Sequence, residues 1–236
     1  VGSCAAQTGA SIKEWQEYME SGENSKKSAH FLYDNRSKSS PGMYPRYLMK
    51  IMANKGIPEE IEWPYRRDRN LGEKIMNIPD RVYKSALKNK TSKYYKVSNI
   101  NSIEHALDNH GPLLIAVPVY NYGMKMWKQD NPEQPRRCGH AMTVVGYIKD
   151  GIEDRLVIRN SWGKRWGDEG HTYMPYDEIH HAWEFWACID DIDKPITETF
   201  RYRTKQALKH VKRNAFAYGT LAVSIISMAT ALILGT

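Results

Sequence analysis

Three short segments hold residues whose chemistries complement one another. Gly2-Ser3-Cys4 stands immediately before a stretch that reads as a helix over residues 5–20. A cysteine there feels the positive end of the helix dipole, beside amides that have no intrahelical partner. Both effects lower its pKa and favour the nucleophilic thiolate. The Cys4 N–H can also face a developing oxyanion. In the second segment, Cys138-Gly139-His140-Ala141, His140 opens a strand. An imidazole placed there can project into a cleft and serve as a general base near neutral pH. In the third, Arg159-Asn160-Ser161-Trp162-Gly163, Asn160 can accept the proton of one His140 nitrogen and fix the ring, and Trp162 can shield that bond from water. Each segment alone has a plain alternative: a buried structural cysteine, a satisfied histidine, a Trp-rich packing loop. Together, Cys, then His, then Asn form a nucleophile, base and orienter in chain order, the arrangement of covalent thiol catalysis.

These residues need elements to hold them. Residues 5–20 carry a partial apolar stripe, Ala6, Ile12, Trp15, Tyr18 and Met19, closed by Gly22. Residues 21–42 are polar and punctuated and read as a loop. Residues 44–54 form a second expected helix, with Tyr47, Leu48, Ile51 and Met52 on one side and Gly56-Ile57-Pro58 as its stop. A third covers 100–109, with Ile103, Ala106 and Leu107 inward. From Gly111 the apolar pattern becomes that of strands, at 113–117, 141–147, 155–159 and 170–174. Helices first and strands second predict an α+β fold, with two subdomains meeting near residues 108–112 and a site in the cleft between them.

Composition narrows the function classes. The chain has 236 residues, 41% hydrophobic and 26% charged, a globular balance. Of the net charge of +7, six units come from residues 200–214, so the body is nearly neutral and no nucleic-acid partner is expected. Three cysteines, Cys4, Cys138 and Cys188, cannot build a disulfide framework, which favours a reducing compartment. Cys138 reads as a packed free cysteine rather than a second cleft thiol. His180-His181 with Asp177 and Glu178 match no tight ligand spacing and read as a solvated helix end, so neither metal nor cofactor is expected. Residues 215–236 are 22 residues without a charge, about 33 Å as a helix, and read as a membrane span after a basic linker at 194–214. The chain opens on Val1 rather than Met and reads as cropped at that end.

Gly-Ser-Cys before a helix, Gly-His-Ala before Val144-Val145-Gly146-Tyr147, and the long Asn160-Ser161-Trp162-Gly163 motif with Trp166, Gly167 and Gly170 together resemble the papain-like cysteine peptidases. The resemblance runs from residue 1 to about residue 193. Its stretch from Gly170 to Trp186 is similar to compact members from microbes and large DNA viruses. It implies a helical left subdomain (1–110), a barrel-like, strand-rich right subdomain (111–193) and an active site in the cleft. Cys4 matches the nucleophile, His140 the base, Asn160 the orienter and Trp162 the covering indole. In the resting family enzyme the Cys and His form a thiolate–imidazolium pair. Ala116 and Ala141 match positions lining the pocket for the second residue on the acyl side of the cut, and their small size leaves room for a bulky apolar side chain. Gly42 and Met43 match the loop that pairs with substrate backbone, with a Met where a Gly is common. The family's oxyanion-hole Gln would stand ahead of Val1.

The expected protein is therefore a peptidase that hydrolyses polypeptides through a Cys4 acyl-enzyme. A membrane would hold it at 215–236, with the catalytic domain on the cytosolic side or inside a virion. Two alternatives remain at this point: a silent, membrane-tethered scaffold on the same fold, and an acyl transferase using the same three residues.

Overall fold

The computed structural model describes residues 2–37, 40–65 and 77–190. Its organising element is helix α1 (Cys4–Ser21), which is buried around most of its circumference. The small residues Ala5, Ala6, Gly9 and Ala10 let neighbours come close: a Cβ on Gly9 would lie 2.9 Å from Leu48. Three polar side chains, Thr8, Lys13 and Gln16, are buried on α1, and the two long ones find partners. Lys13 pairs with Asp190 and with Glu17 at 3.4 Å, and Gln16 Nε2 donates to the Cys188 carbonyl at 3.1 Å. The helix ends at Gly22, whose φ of 78° no side-chain-bearing residue adopts cheaply.

Around α1 pack α2 (Ala29–Asp34), α3 (Pro45–Asn54) and α4 (Asp80–Ala86). Helix α2 lies inside the stretch expected to be loop. Ser28 caps it by accepting the Phe31 N–H at 3.0 Å, and Phe31, Leu32 and Tyr33 are fully buried against α1 and its neighbours. Its six residues are too few to show a helical period, so tertiary burial rather than local pattern makes the helix. In α3, Met49 joins Leu48, Ile51 and Met52 inward, and Tyr47, expected there, is 37% exposed and lines the cleft instead.

The second half supplies α5 (Ile100–His110) and a six-stranded antiparallel sheet. Its strands are β1 (Lys93–Val97), β2 (Leu113–Val119), β3 (Cys138–Ile148), β4 (Arg155–Arg159), β5 (His171–Pro175) and β6 (Glu184–Ile189), in the order β1-β6-β2-β3-β4-β5. Alternation explains the unbroken apolar run of β2. Leu114 and Ala116 face the core shared with α1 and α3, whereas Leu113, Ile115, Val117 and Val119 face the core shared with α5. Strand β1 and helix α5 both precede residue 111, yet both pack with the sheet. Among the described residues β1 and β5 lie at opposite ends of the order and do not pair, so the expected barrel-like closure is not made by backbone hydrogen bonds.

The turn from α5 into β2 is fixed by Gly111. Its φ is 84°, and a Cβ there would lie 1.9 Å from the Trp15 ring of α1. Gly111→Ala is expected to cost about 3 kcal/mol through backbone strain and overpacking, read as a lowered denaturation midpoint.

Glu178 also departs from expectation. It lies in a 3₁₀ turn (Tyr176–His181) and is buried, not solvated. Burial would raise its pKa, but hydrogen bonds from Lys128, Lys125 and the Trp127 indole, each 2.9 Å, outweigh that and hold it at about 2. Among the described residues no helix is long and apolar enough to cross a membrane. The stretches 194–214 and 215–236, expected as linker and span, lie outside the described residues.

Candidate active site

Helix α1 and strand β3 meet where the sequence places its nucleophile and base. Cys4 is the first residue of α1, and its N-cap, Ser3, makes no side-chain capping bond to the helix. The Ser3 hydroxyl instead contacts Tyr65 Oη at 3.0 Å. The first amides of α1 are thus left without intrahelical partners, beside the thiol. His140 emerges at the start of β3 after two exposed residues, Cys138 and Gly139. Cys4 and His140 line one cleft of about 570 Å³.

The imidazole is held from behind. His140 Nε2 lies 2.8 Å from Asn160 Oδ1, and the Ser161 N–H donates to the same oxygen at 2.8 Å. Because that oxygen accepts from a backbone N–H, the His140 nitrogen facing it must carry the proton. Nδ1 is then the nitrogen left for proton transfer. Asn160 is positioned in turn by its N–H to the Gly170 carbonyl, 2.8 Å. Trp162 covers the ring, with centroids 4.8 Å apart and planes inclined by 30°. Trp166 steadies Trp162 edge-on at 5.5 Å and donates its own indole N–H to the Tyr122 carbonyl at 2.8 Å. The other end of the Asn160 amide is unusual: Nδ2 is buried and has no partner among the described residues. An unpaired buried donor costs about 1–3 kcal/mol.

Charge in the pair is contested. Burial pushes the Cys4 thiol up, while backbone N–H groups of Ala141, Ala5 and Cys4 itself pull it back. Burial pushes His140 down, and the bond to Asn160 opposes that. Taken singly, burial favours the neutral forms of both groups. The ion pair implied by the resemblance therefore rests on the α1 amides, on Asn160 and on the attraction of the two charges once formed.

Each expected substrate-contacting residue lines this cleft: Gly42, Met43, Ala116 and Ala141. Gly42 has a φ of 98° and donates its N–H to Tyr33 Oη at 3.2 Å. Sequence reasoning missed Trp183 and Glu184. Trp183 lies over Gly139, where a Cβ would come within 2.6 Å of its ring, so Gly139 is the residue that admits the indole. Its N–H bonds the Ala116 carbonyl at 2.9 Å. Glu184 pairs in register with Ala116, and its carboxylate lies 4.0 Å from Lys96 Nζ in a cleft that Arg36 and Arg136 also line. A lone charge ahead of Phe185-Trp186-Ala187-Cys188 was the available signal. Cys138, expected to be packed, is exposed and lines an adjoining part of the cleft with Cys4 and His140.

Comparison with known proteins bears on the family and the fold. Caricain from Carica papaya is 29% identical over 147 residues, which are 57% of this chain and 38% of caricain. An uncharacterised peptidase C1-like protein of Acanthamoeba polyphaga mimivirus is 24% identical over 226 residues, covering 85% of this chain and 70% of its own length. The chain spans about half or less of most plant and protist relatives it matches. Xylellain, a cysteine protease from Xylella fastidiosa, superposes with a TM-score of 0.65 at 25% identity, over 80% of each chain. The family described as Papain family cysteine protease matches residues 1–185, and the chain belongs to that family.

Proposed function

We propose that the chain hydrolyses peptide bonds, with Cys4 as nucleophile, His140 as base and then acid, and Asn160 as the group that orients His140. The observation that carries this reading is the 2.8 Å bond from His140 to Asn160 beneath Trp162, in the cleft that holds Cys4 at the head of α1. His140 Nδ1 takes the thiol proton as Sγ attacks the carbonyl carbon, and the Cys4 N–H faces the oxyanion. As the tetrahedral adduct collapses, the C–N bond breaks and the imidazolium gives its proton to the leaving amine. His140 then draws a proton from water, which attacks the thioester and frees Cys4. An epoxide thiol probe tests the assignment. The adduct, located by mass spectrometry, is expected at Cys4, and a folded sample left unlabelled there overturns it.

The acyl-side pocket has small walls, Ala116 and Ala141, with Glu184 beside them, its carboxylate shared at 4.0 Å with Lys96, whose ammonium is half exposed. A side chain with an apolar stem and a positive tip matches both features. Glu184→Gln is expected to lower the preference for Arg over Leu at the second acyl-side position about tenfold, the value of one modest charged contact. Competing-substrate kcat/KM ratios measure it, and an unchanged ratio removes Glu184 from specificity.

Residues 215–236, uncharged and preceded by six basic residues, support a membrane anchor that leaves the catalytic domain on the cytosolic side or inside a virion. The full chain is then expected to float with lipid vesicles and resist carbonate extraction, and a chain ending at residue 214 to remain in solution. Equal behaviour of the two removes the anchor.

A further inference from the structure

Among the described residues, three of the five α-helices open on a residue able to cap them with its side chain: Ser3 before α1, Ser28 before α2 and Asn99 before α5. Two of the three do so. Ser28 Oγ accepts the Phe31 N–H at 3.0 Å, and Asn99 Oδ1 accepts the Ser102 N–H at 2.9 Å. Both have extended backbone, with ψ of 95° and 160°. Ser3 makes no such bond. Its ψ is 9°, and its buried hydroxyl lies 3.0 Å from Tyr65 Oη. A capping serine takes the N–H of the second or third helical residue. In α1 those are Ala5 and Ala6, and neither has a helical carbonyl ahead of it: the first intrahelical bond runs from the Gln7 N–H to the Ser3 carbonyl, 3.0 Å. The Ala5 N–H is also one of the groups that favour a charged Cys4 sulfur. A Ser3 hydroxyl turned onto α1 would therefore compete with Cys4 for the same donors.

Tyr65 reaches Ser3 from a segment tied down at several points. Its N–H donates to Glu60 Oε1 at 2.6 Å, and its ring stands edge-on to His30, with centroids 5.4 Å apart. Two residues earlier, the Trp63 indole N–H donates to Asp34 Oδ2 at 2.9 Å, and the Trp63 carbonyl accepts the Ser28 hydroxyl. His30 Nε2 lies 3.2 Å from the same Asp34 oxygen, and both residues are buried on α2. The phenol is thus anchored on α2 and its surroundings rather than on α1. We propose that Tyr65 is a positioning residue for the nucleophile: it keeps the Ser3 hydroxyl off α1 and so leaves the Ala5 N–H for the Cys4 thiolate. The inference rests on the catalytic reading of Cys4, and it gives Tyr65 no contact with substrate or with the sulfur.

The test follows iodoacetamide labelling of Cys4 in the full chain, located by mass spectrometry, from about pH 5 to 8. Arg136, His140 and Glu184 line the cleft beside Cys4, and Glu14 and Glu60 line its adjoining part. Neither substitution below alters these groups. Tyr65→Phe removes one hydroxyl and keeps the ring that meets His30. Its labelling near pH 6 is expected to fall about threefold to tenfold, the value of one hydrogen bond to a charged group. The profile should move to higher pH, because a thiolate that loses a donor forms less readily. Adding Ser3→Ala, which leaves no hydroxyl to turn onto α1, is expected to restore labelling to within about twofold of the parent. A packing defect is not repaired by deleting a second hydroxyl. Peptide kcat should follow the labelling rate through the series, with KM unchanged. Equal labelling of Tyr65→Phe and the parent, or a loss that Ser3→Ala does not reverse, overturns the role of Tyr65 alone. A folded parent chain that leaves Cys4 unlabelled overturns the catalytic reading, and this role with it.

Discussion

Cys4→Ala is expected to lower peptide turnover by about 10⁵-fold or more, because removing a nucleophile eliminates the covalent route rather than weakening it. Stability should change by less than about 1 kcal/mol. The lost sulfur lines an open cleft and makes no disulfide, and alanine suits the first turn of α1. The measurement is kcat/KM on a fluorogenic peptide beside a thermal melt. A variant that keeps even one part in a hundred of the rate, with an unchanged melt, removes Cys4 from the reaction.

The second large effect is at His140. With alanine there, burial alone acts on the Cys4 thiol and holds it in its neutral form through pH 7, against only the backbone N–H groups nearby. Turnover is expected to fall by about 10³- to 10⁵-fold, at or above the usual range for a general base, because this base also makes the nucleophile. Alkylation separates that cause from a structural one. The intact chain should label at Cys4 near pH 6, whereas His140→Ala should label only as the solution becomes alkaline. Identical pH profiles for the two would mean that no Cys4–His140 pair forms. The double variant should be no slower than Cys4→Ala alone, since the two residues act as one unit.

Much of the site was legible in the chain because its signals are local. A cysteine directly before a helix, a histidine at the first turn of a strand and an asparagine at the end of another can each be read from a dozen neighbouring residues. The same holds for α1, α3, α5 and the strands β2 to β5, whose apolar periods run long enough to register. Elements lacking such a period were lost. Helix α2 has six residues, and α4 buries only Val82 and Ala86. Strands β1 and β6 pair with each other although nearly a hundred residues separate them. Side chains whose environment comes from elsewhere were also misjudged. Glu178 looks solvated until Lys125, Trp127 and Lys128 converge on it, and Cys138 looks packed until β3 is seen to open into the cleft.

The amino-acid sequence by itself picked out the candidate groups for the chemistry and their order, together with the helix terminus whose amides oppose the burial of the Cys4 thiol. Folding decided what those groups feel. It set the His140 tautomer, through the Ser161 N–H that occupies Asn160 Oδ1, and it laid Trp183 over Gly139 and Glu184 beside Ala116. It also left Asn160 Nδ2 buried without a partner among the described residues. The reason is one of range. Helix dipoles, caps and apolar periods act over a few residues, whereas desolvation and convergence sum over segments that meet only when α1 packs against the sheet.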